Sequence, residues 1–167
     1  MKKWLLLVVT LVVVAIGYWY MVGRPTVVNL TIYFGDENAE FLEPEVRSVS
    51  VPPGESLLVA AINELIKGPI EPNHAPTIPS GTRLLGIKVK DGIAWVDFST
   101  EIKTNHWGGS AGELLTTFSL VNTLTEFPEV KAVQFLVAGE IYDSIWGHGI
   151  TNEPISRQPD LIGPNFR

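Results

Sequence analysis

The sequence predicts an α+β fold: a single mixed β-sheet with two amphipathic helices packed on one face, in the order β-β-α-β-β-α-β, behind an N-terminal transmembrane helix. Three observations carry this expectation. Residues 4–22 are apolar except for Thr10 and Gly17. Two later segments repeat apolar residues at helical spacing. Two strand-like runs flank Asp91-Gly92, a dipeptide suited to a two-residue I′ hairpin turn.

The first segment predicts an anchor. Nineteen residues at about 1.5 Å rise give about 28 Å, close to a hydrocarbon core of roughly 30 Å. Lys2 and Lys3 precede the run, Arg24 follows it, and Trp4 and the cluster Tyr18-Trp19-Tyr20 mark its ends as membrane-interface residues. The charge bias places the remainder outside the cytoplasm. The rival reading is a signal peptide cleaved near Ala15-Ile16-Gly17. Residues 1–24 are therefore expected to be anchor and linker, 25–157 the domain and 158–167 a loose tail, in a single-pass protein of the cell membrane.

Within the domain, 27–34 is rich in β-branched and aromatic residues and reads as a strand. A polar turn follows, then a weaker strand from Phe41 to Val51 interrupted by Pro44. Ser56 reads as an N-cap, with Leu58, Ala61, Ile62 and Leu65 forming one helical face and Gly68-Pro69 stopping it. Residues 69–82 hold four prolines and predict a loop, with His74 exposed. The turn at Asp91 and Gly92 pairs Val89 with Ala94, Ile87 with Val96 and Leu85 with Phe98 on one apolar face. It pairs Lys88 with Trp95 and Gly86 with Asp97 on the other. Ser110 and Glu113 make a capping box. Leu114, Phe118, Val121 and Leu124 then form the second stripe, followed by a strand over 132–137 and a turn at Ala138-Gly139.

Charge and composition exclude several functions. The chain carries 12 basic and 18 acidic residues, a net charge of −6. Lys2, Lys3 and Arg24 are its only charges before residue 25, so residues 25–167 hold 9 basic against 18 acidic and carry −9. Such a domain is a poor ligand for nucleic acid or anionic lipid. Cysteine is absent, which excludes thiol chemistry, disulfides and thiolate metal sites in this chain. His74, His106 and His148 lack a partner at i+3 or i+4, and Asp36, Glu37, Asn38 and Glu40 lack EF-hand spacing, so no metal and no cofactor are expected. Gly108-Gly109-Ser110-Ala111-Gly112 fits G-x-S-x-G, with Asp143 and His148 following in hydrolase order. No strand runs into Ser110, however, and no parallel α/β sheet surrounds it, so a serine hydrolase is a remote alternative.

The ordered set 32–34, 67–69, 78–82, 91–99, 108–113, 124–128, 133–137 and 147–149 resembles the GerMN domain of sporulation and germination proteins. The resemblance spans about residues 30–157, with one copy instead of a tandem pair. It implies a non-enzymatic α+β module held at the membrane, which in spore formers supports assembly of envelope-spanning complexes. It supplies no catalytic residues. The expected function is protein–protein assembly in the cell envelope, with an envelope protein or a second copy as partner. The candidate surface is Trp95, His106, Trp107, Gly108, Gly109, Trp146 and His148. Loop tryptophans also suit sugar stacking, so a cell-wall glycan or small-ligand module is the alternative.

Overall fold

The computed structural model describes residues 2–166, without the side chains of 5–7, 15–16 and 19–22. Its elements are α1 (Lys2–Val22), β1 (Thr26–Asp36), β2 (Leu42–Val51), α2 (Leu57–Lys67), β3 (His74–Ala75), β4 (Leu84–Lys90), β5 (Ile93–Phe98), α3 (Glu101–Thr104), α4 (Ser110–Leu124), β6 (Ala132–Val137) and β7 (Ile155–Ser156).

Two expectations about architecture are overturned. Lys2–Val22 is helical, but among the described residues no helix is long and apolar enough to cross a membrane. The two lysines and Thr10 fall within α1. This finding overturns the expected transmembrane helix, on which the interface role read for Lys2, Lys3, Trp4 and Tyr18 rested. The side chains of Trp19 and Tyr20 lie outside the described residues.

The strands form two sheets where one was expected. The first has the order β2-β1-β3 and the second β4-β5-β6-β7. Helix α4 packs along β1, and the Thr123 hydroxyl accepts the Tyr33 backbone N–H at 3.1 Å. A helix side chain thus satisfies a donor that a neighbouring strand would otherwise take.

Helix α4 also contacts β2, β6 and α2, and most of its residues are buried. It is no amphipathic surface helix: Leu114 is exposed, while Thr116, Ser119, Asn122 and Thr123 are buried. These polar groups are bonded, as burial requires. Thr116 Oγ1 donates to the Thr77 carbonyl at 2.7 Å, and Asn122 Nδ2 donates to that of Gln158 at 3.1 Å.

Local signals hold better. The Ser56 hydroxyl accepts the Leu58 N–H at 3.3 Å, and Leu58, Ala61, Ile62 and Leu65 are buried. The β4–β5 hairpin pairs Val89 with Ala94, Ile87 with Val96, Lys88 with Trp95 and Gly86 with Asp97. Asp91 (φ 53°) and Gly92 (φ 80°) supply the two positive φ angles of the turn. One pair differs. A bulge leaves Leu85 exposed and brings Leu84 opposite Phe98.

Residues 158–167 are no loose tail in their described part. Ile162 is buried with Tyr33, Leu42 and Leu115 in a second small core, and the Gly163 N–H donates to the Leu42 carbonyl at 2.9 Å.

Candidate functional site

The site is built around the first turns of α4 by the loops before it and after Tyr142. Gly109, not Ser110, occupies the N-cap position, and no side chain caps the helix. The expected capping box is therefore absent. Glu113 is drawn away from the helix start by a different set of donors. Its Oε2 accepts the backbone N–H groups of His148 (3.0 Å) and Gly149 (3.1 Å), and its Oε1 accepts His148 Nδ1 at 2.5 Å. The Glu113 side chain is 4% exposed and that of His148 62%. Burial alone raises the Glu113 carboxyl pKa, but the bonds from His148 and Gly149 outweigh it and hold the group below the usual carboxylate range.

Three of the predicted aromatics meet. His106 stacks on Trp107 with ring centroids 5.0 Å apart, and Trp146 lies 5.2 Å from the other partner of that stack, His106. Trp146 donates from Nε1 to the Ile102 carbonyl at 2.9 Å and meets Phe135 edge-on at 6.4 Å, which ties the stack to the core. The Gly108 N–H donates to His106 Nδ1 at 3.0 Å, so Nε2 carries the ring proton and donates to Thr116 Oγ1 at 3.1 Å. Burial pushes the His106 pKa down, which suits a neutral ring in this relay. Trp95 takes no part. It is half-buried on β5, paired with Lys88 and Gln134.

Two apolar hollows flank the start of α4. Trp107, 52% exposed, borders one of about 360 Å³ with Gly35, Ala75, Pro76 and Leu115. On the other side a groove of about 360 Å³ runs between Leu114, Thr117 and Phe118 and the segment His148–Thr151, with Ile155 beyond. Leu114 (41% exposed) and Ile150 (73%) form its lips. Ser110 lines the groove, but His148 Nδ1 is engaged by Glu113, and Asp143 Oδ1 accepts Asn152 Nδ2 at 2.8 Å. The Ser110–Asp143–His148 triad is not assembled.

Sequence reasoning missed a second polar cluster. His74 was expected in solvent, yet its side chain is only 6% exposed, with Nε2 2.9 Å from Glu43 and Nδ1 2.8 Å from Glu45. Glu45 is buried beside Arg47, whose guanidinium also reaches the carbonyls of Glu64 (3.1 Å) and Gly68 (2.8 Å). The alternation Glu43-x-Glu45-x-Arg47 places these charges on one strand face, which is the signal that could have been read. The cluster pins the 68–74 segment to β2. Among the described residues, no group of three His, Asp or Glu is arranged to hold a metal.

Residues 31–143 match the model of the Germane family, described as sporulation and spore germination. The chain belongs to the Germane family. It is 34% identical over 149 residues to the spore germination protein GerM of Bacillus subtilis (strain 168), covering 82% of this chain and 38% of that protein. The chain thus spans well under half the length of this relative. A crystal structure of a Clostridium perfringens protein assigned as a lipoprotein is 28% identical, with a TM-score of 0.58 over 82% of this chain and 93% of the other. The tandem GerMN domains of the B. subtilis sporulation protein GerM are 26% identical, with a TM-score of 0.60 over 78% of this chain and 45% of that one. This Germane domain extends past the matched residues: the His148 loop, β7 and the Ile162 contact all lie beyond residue 143.

Proposed function

We propose that this chain is a non-catalytic, extracytoplasmic binding module that docks an envelope protein in a sporulation- or germination-related assembly. The observation that carries the proposal is the apolar surface at the start of α4, where Trp107, Leu114 and Ile150 stay exposed beside two hollows. Exposed apolar side chains grouped around concave surfaces are the usual anchors of protein interfaces. The similarity to a GerM protein and to a clostridial lipoprotein supports a location outside the cytoplasm. The unassembled triad supports binding over catalysis.

Leu114→Asp and Ile150→Asp place charge on both lips of the groove while leaving the core untouched. They are expected to abolish capture of the partner by the full-length chain in its host without lowering thermal stability. Undiminished capture by the double variant contradicts the proposal.

A second reading rests on Trp107. Its half-exposed indole next to an open hollow suits stacking on a wall sugar. Saturable binding of peptidoglycan fragments that is lost in Trp107→Ala supports it, and absence of binding to purified sacculi eliminates it.

A further inference from the structure

The segment 147–150 is attached to the domain in an unusual way. Its two ends are fixed. At one end the Ile145 N–H donates to Thr151 Oγ1 at 3.1 Å, and Trp146 is bound through Nε1 to Ile102. At the other, buried Thr151 donates from its N–H to the Asp143 carbonyl at 2.9 Å and from its hydroxyl to that of Tyr142 at 2.9 Å. Between these points the chain is exposed. Gly147 has φ +114°, a conformation open to glycine. Its N–H donates to Ser144 Oγ at 2.8 Å, while the backbone N–H groups of His148 and Gly149 and the His148 ring converge on one carboxylate, that of Glu113. The stretch is also one wall of the apolar groove.

We propose that residues 147–150 form a strap that closes one wall of the α4 groove, and that ionisation of Glu113 holds the strap shut. The inference rests on the reading that this groove docks a partner, and names the regulation of that site. An ionised carboxylate accepts all three strap donors. A protonated one carries a hydrogen on one oxygen, and that oxygen then competes poorly for the His148 or Gly149 donors. Opening needs no change in the core, because both ends of the strap are anchored independently of Glu113. With the strap released, Ile150 leaves its place opposite Leu114 and the groove loses its wall, so docking is lost in acid.

The titratable groups that face Glu113 are His148 from the strap and His106 from the loop before α4. Burial opposes a charge on His106, whereas His148 touches the carboxylate directly and its electrostatic interaction favours the ionised form. The bonds that lower the Glu113 pKa are those that close the strap. A group whose folded pKa is depressed contributes its stabilisation above its unfolded value, about 4.3 for glutamate, and loses it as pH falls through the folded value.

The test is an NMR titration of the ¹⁵N-labelled full chain from about pH 5.5 to about pH 2, a range that brackets a depressed carboxylate and lies below the ordinary imidazole value. It follows the amides of His148 and Gly149 beside those of Val96 and Phe135. The strap amides are expected to move together, with one midpoint below the ordinary glutamate value, while Val96 and Phe135 stay in place. Strap amides that do not move, or that move only when Val96 and Phe135 do, overturn the proposal. Glu113→Gln is expected to show the released strap at neutral pH. Should that variant fail to fold, His148→Asn keeps a neutral donor and removes the charge; its midpoint is expected to rise, and an unchanged midpoint overturns the proposal. The titration needs no partner, so a failure of the docking reading leaves its outcome interpretable.

Discussion

The indole of Trp107 lies directly on Gly112: a Cβ at Gly112 would stand 2.5 Å from Trp107 Nε1 and 2.9 Å from Cδ1. No side chain fits in that space, so the half-exposed tryptophan owes its position to a glycine in the first turn of α4.

Gly112→Ala is therefore expected to lift the indole off the helix and break its stack on His106. Alanine gains up to about 1 kcal/mol over glycine in a helix, which offsets part of the strain and leaves the domain folded. Tryptophan emission should shift to longer wavelength with little change in thermal midpoint. An unchanged spectrum would place the indole elsewhere.

Gly92→Val should destabilise the domain. The residue needs φ 80°, and a Cβ there would meet Lys131 Cδ at 3.2 Å. A β-branched residue held at positive φ costs of order 1–3 kcal/mol. Thermal unfolding should fall by several degrees, at roughly 2–4 °C per kcal/mol for a chain of this size. An unaltered midpoint would refute the turn.

Arg47→Met strands the buried Glu45 carboxylate without its guanidinium, a change that typically costs about 3–5 kcal/mol. The double variant with Glu45→Gln should recover part of that loss in denaturant unfolding. The same pair predicts a pH dependence. Burial opposes ionisation of Glu45, but Arg47, the N–H groups of Glu71 and Ile70, and His74 outweigh it and depress the carboxyl pKa. Its contribution is present above the unfolded value of about 4.3 and is lost as pH falls through the folded value. Glu45→Gln should therefore flatten the acid limb of the stability profile below that point.

His106 titrates in the opposite chemical sense but with the same direction of linkage. Burial lowers its pKa, so between the folded value and the unfolded value of about 6.5 the unfolded chain binds more protons. Stability is full above that window and falls as pH drops through it. An NMR titration should show a midpoint below 6.5 and the Nε2–H tautomer at neutral pH; a raised midpoint would contradict the relay to Thr116.

The parts legible in advance are those fixed by local chemistry. Asp91-Gly92 dictates its own turn, and Ser56 with the Leu58–Leu65 face describes α2 almost unaided. The Leu85 bulge was hidden because an apolar residue fits either register. Helix α4 was misread because its stripe was real but incomplete: Thr116, Asn122 and Thr123 are buried through bonds to Thr77, Gln158 and Tyr33, partners far away in sequence. The tandem His106-Trp107 was legible as a surface motif. The pairing of Glu113 with His148, 35 residues on, was not, because Glu113 has an equally plausible local role in a capping box that the fold does not use. His74 was misplaced for the same reason, since its partners lie on another strand.

The most direct test of the central claim is site-specific photocrosslinking of the full-length chain in its native host. A probe at Leu114 and one at Ile150 should capture the same envelope protein, while a probe at Lys88 on the β4–β5 hairpin captures none of it. Equal capture from all three positions, or capture of wall fragments alone, would contradict docking at the start of α4.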